Sequence, residues 1–109
     1  MQTFVPQGPL LNFTAAITAP TSVQAVSIAG VACTDYVLSN LSATIGVVVG
    51  FGNSDTIAKA NAAAGASVSN CVFLAPLAQI NISAATNAYF SGISTSSTAV
   101  VYVQSGAVK

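Results

Sequence analysis

The sequence predicts an all-β protein, a single-domain, jelly-roll-like antiparallel β-sandwich of about eight short strands. Short runs rich in Val, Ile, Phe and Tyr recur about every ten residues, and Gly, Pro, Asn or Ser residues separate them. The length, 109 residues, is that of one domain with its own hydrophobic core. No repeat of fixed period accompanies these runs.

We predict that residues 1–11 form an extended N-terminal arm and that residues 12–109 form the β-sandwich domain. Pro6, Gly8 and Pro9 argue against a helix in this stretch. The arm is apolar, so it either lies on a neighbouring subunit or packs as a first connection on its own domain. Its large apolar residues are Phe4, Val5, Leu10 and Leu11.

The first half of the sandwich domain predicts strands at residues 12–18, 22–28, 35–40 and 45–51. In the third of these, Tyr36 and Leu38 share one face, because side chains alternate along a strand. The fourth is continuously apolar and rich in Val, which indicates a central strand covered on both faces.

The stretch 56–66 is rich in Ala, which favours a helix by propensity, and Asp55 is a suitable N-cap. The stretch is short, however, and it lacks large side chains for a buried stripe. We therefore expect a single turn or an exposed loop here, and not a packed helix.

The last part of the chain predicts short strands at residues 71–74 and 79–83, separated by a break at Pro76. Two further β-rich runs, 89–93 and 99–103, flank a Ser/Thr cluster and predict a hairpin. Both faces of the second run are largely apolar, which indicates a strand buried inside the sandwich or in an interface.

Charge is unusually scarce: 4% of residues are charged, the formal net charge is +0 and the mean hydropathy is +0.76. A free monomer normally stays dispersed through net charge and small apolar patches. We therefore expect a subunit of an assembly whose apolar surface a partner covers. The alternative is a small β domain that its many Ser and Thr residues keep in solution.

Composition also excludes several classes. The scarcity of basic residues argues against nucleic-acid binding. No apolar run reaches about 18 residues, and the start lacks the basic and apolar segments of a signal peptide, so we expect no membrane partner and synthesis in the cytoplasm. Cys33 and Cys71 are too few for a zinc site, and we expect two buried thiols in preference to a disulfide.

We expect no enzyme and no cofactor. Asp35 precedes a strand and Asp55 lies in a turn, both common positions for structural Asp. Because the chain contains no His, neither a Ser nor a Cys nucleophile has its usual base. The Gly-rich run 50–55 lacks the third Gly of a dinucleotide loop. We accordingly assign no catalytic, cofactor-binding or metal-binding residue.

Four segments stand out in chain order: Tyr-Val-Leu-Ser-Asn at 36–40, Val-Val-Val-Gly-Phe-Gly-Asn-Ser at 47–54, Phe-Leu-Ala-Pro at 73–76, and the stretch 87–103 followed by a tail that contains Gly106. Together these segments resemble the small virion proteins of tailed bacteriophages. The resemblance covers most of residues 35–106 and lies in texture and order. The Ala-rich stretch 56–66 and the ending in Lys109 depart from it.

This resemblance implies a capsid decoration, or cement, protein with a jelly-roll-like sandwich on the outer surface of the virion head. Its expected partners are the major capsid protein and further copies of itself, as a dimer or trimer. The residues themselves offer contact candidates, chosen because they are apolar and expected to be exposed. These are Phe4, Val5, Leu10, Leu11, Ile57, Ala60 and Tyr102.

Two other functions stay open at this point. One is a β module associated with the tail or a fibre, and the other is a carbohydrate-binding or host-binding β-sandwich. The absence of Trp and the presence of only three Tyr residues leave few aromatic rings on which a sugar could stack.

Overall fold

A computed structural model describes residues 4–17, 22–24, 33–64, 70–84, 86 and 88–108. Eight strands and one helix lie in these ranges, which confirms the all-β prediction. They are β1 (Phe4–Ala15), β2 (Ser22–Gln24), β3 (Asp35–Asn40), β4 (Val47–Gly52), α1 (Asp55–Ala64), β5 (Cys71–Leu74), β6 (Gln79–Ser83), β7 (Tyr89–Ser94) and β8 (Ala99–Val108). The second half of the strand predicted at 22–28 lies outside the described residues.

The strands form two antiparallel four-stranded sheets. Sheet A has the order β1-β8-β3-β6, and sheet B has the order β2-β7-β4-β5. Within them β1 pairs with β8, β2 with β7, β3 with β6 and β4 with β5. This nested pairing is that of one long hairpin rolled up into two sheets, which is the jelly-roll topology.

Strand β1 begins at Phe4, so it crosses the boundary at residue 11 that the sequence suggested between arm and sandwich. It pairs with β8 of the same chain from Phe4, opposite Val108, to Ala15, opposite Ala99. The register shifts between Pro6 and Leu10. Proline is tolerated here because β1 is an edge strand, whose outer N–H groups have no ladder partner to lose.

The prediction that residues 89–93 and 99–103 form a hairpin is wrong, because the two strands, β7 and β8, lie in different sheets. The Ser/Thr cluster between them carries the chain from sheet B to sheet A. β7 pairs with β2 and β4, whereas β8 pairs with β1 and β3. The apolar pattern identified two strands correctly but carries no information on which strand each one pairs with.

The core lies between the two sheets and contains the inward-facing residues of both. Tyr36 and Leu38 are fully buried side by side on β3, as their alternation predicted. The Tyr36 ring meets Phe90 of sheet B edge-on, with 5.0 Å between ring centroids. Its hydroxyl donates a hydrogen bond to the Cys33 carbonyl oxygen. A buried tyrosine normally needs such a partner for its hydroxyl.

The expectation of a loop at 56–66 is also wrong, since α1 is a ten-residue helix packed on the outside of sheet B. Its inward face consists of Ala58 and Ala62, both buried, which lie against Gly50 of β4. A Cβ on Gly50 would lie 2.2 Å from the Ala62 nitrogen. The helix needs no large side chains because small residues on both elements let the backbones approach closely.

The N-terminus of α1 is capped by Ser54, and not by Asp55 as the sequence suggested. The Ser54 hydroxyl accepts a hydrogen bond from the Ile57 N–H at 3.2 Å. This satisfies one of the backbone donors that a helix start leaves unpaired. Asp55 instead forms an exposed ion pair with Lys59 at 3.2 Å.

Candidate functional surface

The groups that could carry chemistry are scattered over the molecule. Asp35 belongs to sheet A, where it accepts a hydrogen bond from the Ser83 hydroxyl at 3.1 Å. Asp55 lies on the helix that covers sheet B, paired with Lys59. Within the described ranges, no three His, Cys, Asp or Glu side chains come together as a metal site.

Neither cysteine is joined in a disulfide; Cys33 is buried and Cys71 is half-buried. Burial raises the pKa of the Cys71 thiol above its ordinary value, which keeps it protonated. A protonated thiol is a poor nucleophile. Across the described part of the chain, no helix has the length and apolarity needed to span a bilayer.

What distinguishes the surface is the exposure of large apolar side chains with few charges around them. The exposed members are Leu10, Ile17, Leu41, Ile57, Phe73, Leu77 and Val100. Exposed apolar residues that occur singly need no explanation, but contiguous ones mark an interaction surface. Their arrangement in the fold therefore decides what they indicate.

Leu10 and Val100 lie on the outer side of sheet A, and Leu41 lies beside it. Strand register places Leu10 beside Gln104, and Gln104 beside Val37. The next row contains Tyr102 and Ser39, flanked by Asn12 and Gln79. We call this side the outer surface of sheet A. It comprises Leu10, Asn12, Thr14, Asp35, Val37, Ser39, Gln79, Asn81, Ser83, Val100, Tyr102 and Gln104.

Two adjoining depressions of about 370 Å³ each cross this surface and share Val37, Gln79 and Gln104. Leu10, Leu41 and Tyr102 form the apolar wall of one of them. The Gln79 amide donates a hydrogen bond to the Ser39 hydroxyl, and the Gln104 amide donates one to the Gly8 carbonyl, both at 3.2 Å. These bonds hold two long side chains in place and make the depressions a preformed feature.

Leu41 and Leu77 stand at one end of the sandwich, where buried Asn40 ties two loops together. The Asn40 amide nitrogen donates its two hydrogens to the carbonyls of Ile45, Leu74 and Ala75, at 2.8, 3.2 and 3.2 Å, so one hydrogen is shared between two acceptors. Its amide oxygen accepts one from the Ser42 N–H at 3.0 Å. One side chain thus joins the β3–β4 loop to the β5–β6 turn.

The β5–β6 turn places Leu77 in solvent with an unfavourable backbone conformation. The Ala78 N–H donates to the Ala75 carbonyl at 3.0 Å, and Pro76 occupies the second position. Leu77 has φ 60° at the third position of this type II turn, where glycine is preferred, and its side chain is 67% exposed. A leucine there costs roughly 1 kcal/mol relative to glycine. The turn therefore presents an apolar side chain in a fixed position.

The structure brings together only part of the predicted contact set. Leu10 and Tyr102 line the same depression on the outer surface of sheet A, and the neighbouring Leu11 is half-buried. Ile57 and Ala60 are exposed, but they lie on α1, on the opposite side of the sandwich. Phe4 and Val5 belong to β1, and their side chains lie outside the description.

Sequence reasoning did not find Val37, Leu41, Leu77 or Val100. The strand containing Val37 was predicted correctly, and its alternation implied that Val37 points away from Tyr36 and Leu38. That signal was available for Val37. A turn signal was also available for Leu41 and Leu77, because each directly follows a residue that ends a predicted strand, Asn40 and Pro76.

Comparison of the chain with protein-family models, with curated proteins and with solved structures finds no match.

Proposed function

We propose that the chain is a virion structural protein, a capsid decoration protein that binds the outside of the head and stabilises contacts between major capsid proteins. The proposal rests on the outer surface of sheet A. This surface combines apolar side chains with side-chain amides, and the two adjoining depressions form a groove across it. The jelly-roll topology supports it, because viral capsid proteins use this architecture repeatedly.

The energetics of this surface suit a protein that binds another protein shell. Burial of apolar area contributes roughly 25 cal/mol per Å² before the entropy of association is subtracted. Neutral amides and hydroxyls lose less hydration free energy on burial than charged groups do. Repetition over a symmetric shell strengthens binding when subunits also contact one another.

Within this proposal, Leu10, Leu41 and Tyr102 contact the capsid. The experiment is sedimentation of purified protein with empty heads, followed by quantification of bound copies. The double variant Leu10→Lys with Leu41→Lys should reduce occupancy at least about ten-fold, since two buried charges would lack partners. Deleting residues 1–11 is a poor test, because it would remove much of β1 and expose the side of β8.

The matched control is Ile57→Lys, which makes the same change at an exposed apolar residue on the opposite side of the sandwich. It should bind heads like the wild type, and circular dichroism should show all variants folded. Full binding by the double variant, or loss of binding by Ile57→Lys alone, would contradict the assignment of the surface.

A β module of the tail or a fibre is the nearest alternative within the virion. The same apolar surface would then contact a tail protein. Fractionation of virions into heads and tails separates the two roles, because a decoration protein stays with heads and a tail module leaves with tails.

Carbohydrate binding is supported by one feature, the side-chain amides and the Tyr102 ring along the groove. Amides are suitable donors and acceptors for sugar hydroxyls. Against it, Tyr36 is fully buried in the core, which leaves even fewer rings for stacking than the sequence implied. Calorimetric titration with neutral oligosaccharides tests this role, and a saturable signal lost in Tyr102→Ala would favour it.

A further inference from the structure

The edges of the two sheets differ in how far they are protected against pairing with another strand. Sheet B ends in β5, a short edge of four residues that offers little to pair with, and in β2, of which the structure describes Ser22–Gln24. In sheet A, the β1 edge contains Pro6 and Pro9 and a register shift. The β6 edge, Gln-Ile-Asn-Ile-Ser, contains no proline, glycine or charge. By these criteria β6 is the unprotected edge of sheet A.

Backbone hydrogen bonds show which groups of β6 point outward. At its two ends, the Asn40 N–H donates to the Ala78 carbonyl at 2.9 Å, and the Ala84 N–H donates to the Thr34 carbonyl at 2.8 Å. Bonded pairs alternate with non-bonded ones along an antiparallel ladder. The residues bonded to β3 are therefore the even-numbered ones.

It follows that Gln79, Asn81 and Ser83 direct their N–H and C=O groups away from β3. Sheet A ends at β6, and among the described residues none pairs with this side. The three side chains are exposed as well. The edge thus offers three residues with both backbone groups ready for a partner strand.

We infer that β6 pairs with β6 of a second copy of this chain, antiparallel and around a twofold axis through Asn81. The strand is self-complementary in this register. Asn81 lies opposite Asn81, and Gln79 lies opposite Ser83 of the other copy. The three outward-facing residues then form about six backbone hydrogen bonds, and sheet A continues through both molecules.

The side chains fit the same register. Ile80 and Ile82 face the core side and are only half-buried within one copy. In the pair, Ile80 lies opposite Ile82 of the other copy, so each isoleucine covers the other's open side. On the outer side, amide and hydroxyl groups lie opposite each other. These contacts add buried apolar area to the backbone bonds.

Charge does not oppose the pairing. The charged residue nearest to β6 within sheet A is Asp35, which is bonded to Ser83. The two copies of Ser83 lie at opposite ends of the paired strands, about 13 Å apart at the usual rise per residue. Asp35 lies one strand further from the pairing axis on each copy, so the two Asp35 carboxylates are separated by more than this distance and are largely screened at physiological salt.

Twofold pairing uses the same edge on both copies, so it closes as a dimer and does not produce a trimer. One short strand and its side chains form a small interface. We therefore expect a reversible dimer whose population rises with concentration. The inference concerns the free protein and goes beyond the proposed role on the virion, because it needs no head to be present.

The experiment combines sedimentation velocity over a concentration series with amide hydrogen exchange by NMR. The wild type should shift from monomer to dimer as concentration rises. Over the same range, exchange at the amides of Gln79, Asn81 and Ser83 should slow by about ten-fold. The amides of Ile80 and Ile82, already bonded to β3, should be protected at every concentration.

Two variants test the register. Asn81→Pro removes an outward N–H without breaking a bond to β3, and it should abolish the dimer. Asn81→Lys places two like charges opposite each other on the axis, so it should abolish the dimer at low salt and recover it partly at high salt. The control is Asn12→Lys, the same change on the same surface but on β1, which should dimerise like the wild type.

Thermal unfolding establishes that each variant is folded. A wild type that stays monomeric over the whole series would overturn the inference. So would a dimer that survives both Asn81 variants, or exchange at the three outward amides that does not change with concentration.

Discussion

Substituting Gly50 by Ala tests the contact between α1 and sheet B. The added Cβ would lie 2.2 Å from the Ala62 nitrogen, 2.7 Å from the Ala58 oxygen and 2.7 Å from the Asn61 carbonyl carbon. All three atoms belong to the helix backbone, so no side-chain rotation relieves the overlap. The whole helix must move outward by about 1 Å, which loosens the packing of Ala58 and Ala62.

Overpacking of this kind costs about 1–3 kcal/mol, and the better strand propensity of Ala returns only about 0.5 kcal/mol. We expect a net loss of about 2 kcal/mol in the free energy of unfolding. For a domain of this length that lowers Tm by about 10 °C. Urea unfolding followed by circular dichroism measures the loss.

Gly52→Ala is the matched control on the same strand. Its Cβ would approach Cγ2 and Cβ of the Ile57 side chain, which is 46% exposed, whereas the nearest helix backbone atom, the Ala58 nitrogen, lies at 3.6 Å. We expect a loss below about 1 kcal/mol. Equal losses in the two variants, or a Gly50→Ala protein within about 0.5 kcal/mol of wild type, would refute the packing described for α1.

Three further predictions concern Asn40 and Leu77, at one end of the sandwich, and the Cys71 thiol. Asn40→Ala should lower the unfolding free energy by about 2–4 kcal/mol, measured in urea, because three carbonyls lose their donor. Leu77→Gly should raise the free energy of unfolding by about 0.5–1 kcal/mol, because glycine has no penalty at positive φ. Leu77→Ala keeps that penalty and should not raise the free energy of unfolding. A glycine variant less stable than the wild type would contradict the turn conformation. Because burial raises the pKa of the Cys71 thiol, iodoacetamide should alkylate it more slowly at pH 8 than free cysteine, as mass spectrometry can measure.

Strands were the most predictable part of the fold. The runs at 35–40, 71–74 and 79–83 coincide with β3, β5 and β6 in both bounds. In each, an apolar pattern that suits a strand is bounded by residues that end it, such as Pro76. Both signals are local, so a single sequence contains them.

Partner choice was not predictable, because it depends on residues far apart in the chain. β7 and β8 are separated by a few residues, yet β7 pairs with β2 and β4, and β8 pairs with β1 and β3. The strand character of Phe4–Leu11 was also hidden, since Pro6 and Pro9 exclude a central strand but not an edge strand.

Helix α1 shows a further limit of local reading. Its buried side consists of Ala58 and Ala62, which form no large apolar stripe. The residue that lets them pack, Gly50, lies on another element. The same limit applies to the candidate surface, where Leu10 and Tyr102 were identified one by one but their meeting on sheet A required the β1–β8 register.

Electron cryomicroscopy of the virus particles to which the proposal assigns this chain tests the proposed role most directly. The account predicts separate density on the outer surface of the head, of a size that fits a domain of 37 × 28 × 22 Å, with the outer surface of sheet A toward the capsid. Head surfaces without such density, in particles that contain the protein elsewhere, would contradict it.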